Sequence, residues 1–173
     1  TYFALEKELT ELPGKMERQR DLIRKCQEDT AFMQQTFAVQ DKEIRRQIRK
    51  TIYDAVCANC LATKETILMT YQGFQIVLPT NMSKEKPYVW LQRQGRYYVE
   101  LGDSEVGCLI RLDNALEGLP VHLEKLEKNL TEMEQREVAL QAELQKEENF
   151  TDQITACKEK LAKIDKKLGV DKK

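Results

Sequence analysis

The feature that most constrains this chain is a set of apolar side chains spaced alternately four and three residues apart. Heptad spacing of this kind places one narrow apolar stripe along a helix, as in the seam of a coiled coil. Because each stripe must be covered by other helices, the sequence predicts a fold built on long paired helices. The three series are Leu5, Leu9, Leu12, Met16, Gln19, Ile23, Cys26, Thr30, Met33 and Phe37; Leu119, Leu123, Leu126, Leu130, Met133, Glu137, Leu140 and Leu144; and Phe150, Ile154, Cys157, Leu161, Ile164 and Leu168.

Prolines interrupt the first two series near their beginnings, at Pro13 and Pro120, without changing the phase of the stripe. A proline within a helix lacks the backbone N–H and clashes with the preceding turn. The sequence therefore predicts a kink or a fresh helix start at each of them. For the third series, Thr151 and Asp152 are predicted to cap the start and Gly169 the end.

The middle of the chain has a different character, since five of the seven glycines and six of the twelve aromatic residues lie between residues 71 and 118. Residues 73–78 and 96–101 alternate between apolar and polar side chains, and residues 88–92 form another short run before a turn at 93–95. This pattern predicts a three-stranded antiparallel sheet. A four-residue spacing from Ile48 to Cys60 predicts a helix over roughly residues 43–63, whereas residues 36–40 fit either a helix end or a short strand.

The predicted fold is mainly α, of the α+β class: a long antiparallel helical (coiled-coil) hairpin with a small three-stranded antiparallel sheet and short helices inserted at its tip. Residues 1–173 form one elongated domain, divided into a stalk helix at 1–35, an inserted α/β tip at 36–118, a return stalk helix at 119–148 and a C-terminal helix at 149–170. The charges agree with this pairing, because residues 15–50 carry a net +4 and residues 115–148 a net −5.

Composition excludes several classes of function. No stretch approaches the ~18 consecutive apolar residues of a membrane span, so we expect no membrane association. The five cysteines are odd in number and scattered, which favours a reducing cytoplasm over a disulfide scaffold. His122 is the single histidine, and there is no phosphate-binding loop, HExxH motif or nucleophile elbow. The sequence predicts no catalytic residue and no cofactor. The chain opens Thr-Tyr-Phe without methionine, which indicates a piece of a longer protein.

A CxxC motif occurs at Cys57 and Cys60. It would be half of a zinc site or a thiol–disulfide motif in a suitable context. Zinc needs four ligands, and the nearest other cysteine is Cys108, in no second pair. A redox motif would follow a strand and open a helix, whereas this pair falls inside a predicted helix. We interpret both residues as small helix side chains and predict no bound metal and no Cys57–Cys60 disulfide.

A group of basic residues is the best candidate for ligand contact. Five cations occupy one face of the predicted middle helix, and two more lie at the turn between the last two predicted strands, next to Tyr97 and Tyr98. Cations that neutralise phosphates release counterions, and aromatic rings can stack on bases. The alternative is a solvated face paired with acidic neighbours. The candidate nucleic-acid-binding residues are Lys42, Arg45, Arg46, Arg49, Lys50, Arg93 and Arg96.

Three stretches carry a resemblance to a known family: YQGFQIVLP from residue 71, YVWLQRQGRYYVELGDSEVG from residue 88 and IRLDNALEGLPVHLEKLEKNL from residue 110. They resemble the C-terminal segment of the very large DNA methylase/helicase proteins of bacterial conjugative elements and phages, in which an adenine-specific DNA methyltransferase is joined to an SNF2-type helicase. The similarity covers about residues 12–168. It implies a context of DNA modification, but the catalytic motifs of that family lie upstream and none maps onto this chain.

Two functions are consistent with these observations. The first is a non-catalytic accessory or interaction module of a larger DNA-modifying or DNA-remodelling protein, acting as a helical docking arm for other domains or for a protein partner. The alternative is a weak, non-specific DNA-binding accessory domain that uses the basic helix and the aromatic hairpin. The heptad stripes would also allow a homodimer.

Overall fold

The computed structural model describes residues 1–36, 40–58, 62–83 and 85–171. These residues are mostly helical, with a small antiparallel sheet, and they form two compact units. One unit contains residues 1–19 together with the chain from residue 128 onward, and the other contains residues 20–127. In chain order the elements are α1 (Tyr2–Gln34), α2 (Lys42–Ala58), β1 (Thr66–Tyr71), β2 (Phe74–Leu78), β3 (Tyr88–Gln92), β4 (Arg96–Glu100), α3 (Glu105–Glu117) and α4 (Leu119–Asp171).

The sheet has four strands in the order β1-β2-β3-β4, and every neighbouring pair is antiparallel. The three predicted strands are confirmed as β2, β3 and β4, but the predicted number of three is wrong because β1 adds a fourth. A register shift between Ile67 and Met69 disturbs the alternation of β1, which hid the strand. The turn from β1 to β2 is also unusual in sequence. Its two residues, Gln72 and Gly73, have φ of 49° and 84°, a conformation usually signalled by Asn-Gly.

The core of the second unit lies between the inner face of the sheet and the helices α2 and α3. Alternate strand residues point inward, and Phe74, Ile76 and Leu91 are fully buried. They meet the apolar stripe of α3, of which Leu112 is fully buried. Burial of side chains this size contributes roughly 1.5–3 kcal/mol each before the loss of conformational entropy. This packing holds the strands and α3 in fixed register, so polar side chains at their ends keep fixed positions.

Helix α1 is continuous through Pro13, so of the two predicted alternatives there, a kink or a fresh helix start, the fresh start is wrong. A proline inside a helix removes only one backbone hydrogen bond, and here the buried stripe on both sides compensates for it. Leu12 and Met16, which flank the proline, are 6% and 4% exposed. At Pro120 the prediction of a fresh start is confirmed, because α3 ends at Glu117 and α4 begins at Leu119.

Helix α4 is 53 residues long and passes through residues 148 and 149 without interruption. The predicted division into a helix at 119–148 and another at 149–170 is therefore wrong. Thr151 and Asp152 lie inside the helix rather than capping it, and the helix continues past Gly169 to Asp171. The third heptad series begins at Phe150, out of phase with the second, but such a change of stripe does not need a break in the backbone.

The remaining helix predictions have mixed outcomes. Helix α2 ends at Ala58, earlier than the predicted residue 63, and residues 62–65 are not helical. Cys60 and the middle of the ambiguous segment 36–40 lie outside the described residues. Within the described ranges, none of the helices has a stretch long and apolar enough to cross a membrane.

Candidate functional site

The five predicted cations of α2 divide into two groups. Lys42, Arg46 and Lys50 are exposed on the outer side of the helix. Arg45 and Arg49 are half-buried and turn toward α3 instead. The Arg45 guanidinium lies 2.7 Å from the Asp113 carboxylate, and the Arg49 guanidinium 3.9 Å from that of Glu105. Three of the predicted cations thus lie together on an open face of α2, and the other two form ion pairs between α2 and α3.

Asp113 of α3 links Arg45 to the sheet. Its other carboxylate oxygen accepts a short hydrogen bond from the hydroxyl of Tyr71, the last residue of β1. The Asp113 side chain is 17% exposed, and the Tyr71 residue is buried. Burial and the neighbouring carboxylate raise the pKa of Tyr71 to about 12, because both disfavour the phenolate. This network ties α2, α3 and β1 together, which is a structural role for Arg45.

Arg93 at the β3–β4 turn is also engaged within the fold. Its guanidinium lies 3.0 Å from an oxygen of Asp29 and stacks over the Phe32 ring at 4.0 Å from the ring centre. Asp29 belongs to α1, and its side chain has no exposed surface. The same carboxylate accepts hydrogen bonds from the backbone N–H groups of Gln94 and Gly95, at 3.1 and 2.8 Å. One buried acid therefore fixes the whole turn.

Tyr97 completes this site rather than offering a stacking surface. Its hydroxyl donates to the second oxygen of Asp29 at 2.5 Å, and its residue is buried. Burial and the Asp29 carboxylate raise the pKa of Tyr97 well above its usual range. A side chain at Gly95 would overlap the Tyr97 hydroxyl, which explains why glycine occupies the turn. Sequence reasoning missed Asp29 because its partners lie more than 60 residues away, and no local pattern marks it.

Tyr98 and Arg96, by contrast, lie on the outer face of the sheet. Trp90 pairs with Tyr98 across β3 and β4, and their ring centres are 5.7 Å apart. Tyr88 lies beside both rings, with its centre 4.7 Å from that of Tyr98. The Arg96 guanidinium is 5.0 Å from the centre of the Trp90 ring and 2.6 Å from the Glu65 carboxylate. The result is an aromatic surface, half-exposed at Tyr98, with one paired cation at its edge.

A second surface lies on α4. The third heptad series occupies residues 150–168, and every residue of this stretch is exposed, including the apolar ones. The stripe that precedes it is covered, since Leu140 is fully buried and Leu144 nearly so. We call the exposed series the distal seam. It consists of Phe150, Ile154, Cys157, Leu161, Ile164 and Leu168, whose larger apolar members are between 38% and 64% exposed.

Two cysteines line a cleft of the second unit, and the single histidine lies beside Tyr97. Cys57 and Cys108 line a cleft of about 360 Å³ between α2 and the end of β4. Burial raises the pKa of the Cys108 thiol to about 11, so it is protonated at neutral pH. His122 packs edge-on against Tyr97 at 5.6 Å between ring centres, and its pKa is lowered by burial. Nowhere in the described ranges do three or more potential ligands cluster so as to hold a metal ion.

Comparison of the chain with protein-family models, with curated proteins and with solved structures gives no match in any of the three. The resemblance to the DNA methylase/helicase proteins accordingly stays a prediction from sequence.

Proposed function

We propose that this chain is a non-catalytic interaction module of a larger DNA-modifying or DNA-remodelling protein, in which α4 serves as a docking arm for another helix. The distal seam is the observation that carries the proposal. An apolar stripe at heptad spacing is the recognition surface of a coiled coil, and here it continues for six positions without cover among the described residues.

The exposure of this stripe is costly for a helix that acts alone. Scattered apolar residues are ordinary on protein surfaces, but a contiguous row of large ones marks an interaction site. Leu161 and Ile164 are 60% and 53% exposed, and they lie one turn apart near the middle of the row. A partner helix that covers the row gains the hydrophobic free energy that the uncovered helix forgoes.

The long antiparallel hairpin is the second part of the proposal. Its support comes from contacts within the first unit, where Leu12 and Met16 of α1 pack with Leu140 of α4. Near them the Arg136 guanidinium makes two hydrogen bonds to the Glu8 carboxylate, at 2.8 and 3.0 Å. The Tyr2 hydroxyl donates to Glu148 at 3.1 Å, so of these two hydrogen-bonded pairs, the one nearer the start of α1 lies further along α4. That order fits antiparallel helices.

The experiment for the docking function is a test of association through the distal seam. Sedimentation velocity of the chain alone and with three-heptad amphipathic peptides measures whether the seam accepts a helix. The variant Leu161→Gln/Ile164→Gln should lose the association. The matched control Lys163→Gln/Lys166→Gln changes the same helix outside the seam and should keep it. If neither a peptide nor a second copy of the chain associates through the seam, the proposed function is wrong.

Weak, non-specific DNA binding is the second candidate, favoured by the aromatic surface of Tyr88, Trp90 and Tyr98, in which Tyr98 is half-exposed and the other two rings are partly buried. Rings of this kind stack on the bases of single strands with little regard to sequence. Lys42, Arg46 and Lys50 would supply the open cationic face. Binding of a single-stranded oligonucleotide that weakens steeply with salt would support this candidate. The variant Trp90→Ala should then remove the stacking contribution, and binding that is unaffected by both salt and this variant would count against it.

The cellular setting belongs to the same proposal. We place the module in the cytoplasm, because its five cysteines are odd in number and widely spaced. No enzymatic step is assigned to it, and its partners are other domains of a parent protein or a separate protein. A homodimer through the seam is tested by the sedimentation experiment on the chain alone.

A further inference from the structure

The charges of the residues that flank the distal seam indicate which charges a partner helix should have. In a heptad, the positions next to the apolar stripe are called e and g, and they face the corresponding positions of the partner helix. With Ile154, Leu161 and Leu168 at position a, the charged flanking residues are three lysines and one aspartate. They are Lys158, Lys160, Lys167 and Asp165, all of them exposed.

We infer that the distal seam binds an amphipathic helix of a partner protein whose own flanking positions are acidic. This inference rests on the proposed docking function and specifies its partner. Against glutamates at e and g, three of the four charged flanking positions of the seam attract and one repels. Because lysines flank both sides of the stripe, the preference holds whether the partner helix runs parallel or antiparallel.

A second copy of the chain fits the seam less well. In a parallel pair of copies, Lys160 would face Asp165, but Lys158 would face the uncharged Gln153. The residue types at the apolar positions also disfavour self-pairing. Stable parallel dimers favour β-branched residues at a and leucine at d, whereas here Leu161 and Leu168 occupy a and Ile164 occupies d. Parallel self-pairing therefore has fewer favourable contacts than pairing with an acidic helix.

The distal seam follows a different heptad frame from the covered stripe that precedes it on α4. The covered stripe reaches Leu144, and its frame would place Glu147, Thr151, Ile154 and Lys158 at the next core positions. Ile154 belongs to both frames, but Phe150 and Cys157 lie one residue before Thr151 and Lys158. A helix that packs on the distal seam must therefore follow the new frame, in which the lysines flank the stripe rather than enter it.

The test uses the full chain and two synthetic three-heptad peptides with isoleucine at a and leucine at d. One peptide carries glutamate at all e and g positions, and the other carries lysine there. Fluorescence anisotropy should show the glutamate peptide binding roughly tenfold more tightly than the lysine peptide, because each of the four flanking contacts changes sign between them. The difference should shrink as salt is added.

Charge reversal in the chain provides the matched variant. Lys158→Glu/Lys160→Glu/Lys167→Glu should reverse the preference, so that the lysine peptide binds more tightly; circular dichroism of the same samples checks that the helix is retained. Lys163→Glu/Lys166→Glu, which lies outside the flanking positions, should leave the preference unchanged.

The outcomes separate the inference from the function on which it rests. Equal binding of both peptides, or association of the chain only with itself, would overturn the acidic partner while leaving a docking seam. A preference that survives charge reversal would also overturn it. No association of any kind through the seam would overturn both.

Discussion

The buried carboxylate of Asp29 should be the most sensitive single position in the second unit. We consider the change Asp29→Asn, which keeps the shape of the side chain and replaces one oxygen by an NH₂ group. Each oxygen of Asp29 accepts two hydrogen bonds: one from Arg93 and the Gln94 N–H, the other from the Gly95 N–H and the Tyr97 hydroxyl. Whichever oxygen is replaced, the new NH₂ group faces at least one N–H donor, from Arg93 and Gln94 or from Gly95, and cannot accept its hydrogen bond.

The expected loss in the free energy of unfolding follows from these hydrogen-bond partners. A buried donor that loses its acceptor costs about 1–3 kcal/mol, and breaking a buried ion pair costs about 3–5 kcal/mol. The Arg93 side chain is 28% exposed, so water recovers part of its loss. We expect the free energy of unfolding to fall by roughly 3–4 kcal/mol. With a urea slope of about 1–3 kcal/mol/M, the unfolding midpoint should fall by more than ~1 M.

Urea unfolding followed by the fluorescence of Trp90 measures this effect, because Trp90 is the single tryptophan and lies on β3 beside the turn. The control is Asp21→Asn in the same helix, where an exposed carboxylate pairs with Arg24 and Lys25. Surface pairs of this kind are worth about 0–1 kcal/mol, so the control should change the midpoint little. Tyr97→Phe should cost less than Asp29→Asn, and the double variant should be less than additive. Equal midpoints for Asp29→Asn and Asp21→Asn would show that the Asp29 hydrogen bonds do not hold the turn.

Three further predictions concern other parts of the fold. Arg45→Gln should lower the free energy of unfolding by roughly 1–2 kcal/mol, because it leaves the half-buried Asp113 without its cation. The control Arg46→Gln, on the open face of α2, should change the free energy of unfolding by less than ~0.5 kcal/mol in the same urea assay. In a spectrophotometric pH titration, Tyr71 should ionise near pH 12 and Tyr97 at higher pH still. Both pKa values are higher in the folded than in the unfolded state. The contribution of these two residues to the free energy of unfolding is therefore complete below about pH 10 and is lost as the pH rises above it. Ionisation of all phenols together near pH 10 in the folded protein would contradict this. In alkylation followed by mass spectrometry, Cys57 and Cys157 should react quickly in the native protein, and Cys26 and Cys108 only on unfolding; rapid native labelling of Cys108 would show that the α2–α3 packing is looser than described.

The sequence predicts those parts of the fold that follow from local periodicity. The heptad stripe of α1 is its buried face, and β2, β3 and β4 lie where alternation and turns indicate. β1 escaped prediction because a register shift disturbs its alternation and its turn uses Gln72-Gly73. The continuity of α4 past residue 148 escaped because capping residues such as Asp152 are also tolerated on an exposed helix face.

The roles of the basic residues required tertiary information. Spacing alone places Arg45 and Arg46 on the same face of α2, yet only the position of Asp113 on α3 decides that Arg45 packs between helices. Similarly, Arg93 and Arg96 are equivalent in the sequence of the hairpin. Asp29, 64 residues before Arg93 in the chain, holds the first within the fold, and the second stays at the surface beside Trp90. Contacts between distant residues leave no local pattern to read.

We propose that residues 150–168 of α4 form a docking surface for a partner helix. Amide hydrogen exchange of the chain with and without a saturating concentration of the glutamate-flanked peptide tests it most directly, because exchange reports where protection appears. We expect slower exchange confined to residues 150–168 and no such change in Leu161→Gln/Ile164→Gln. Protection that appears on the sheet instead, or no change along the distal seam at a peptide concentration where binding is complete, would contradict it.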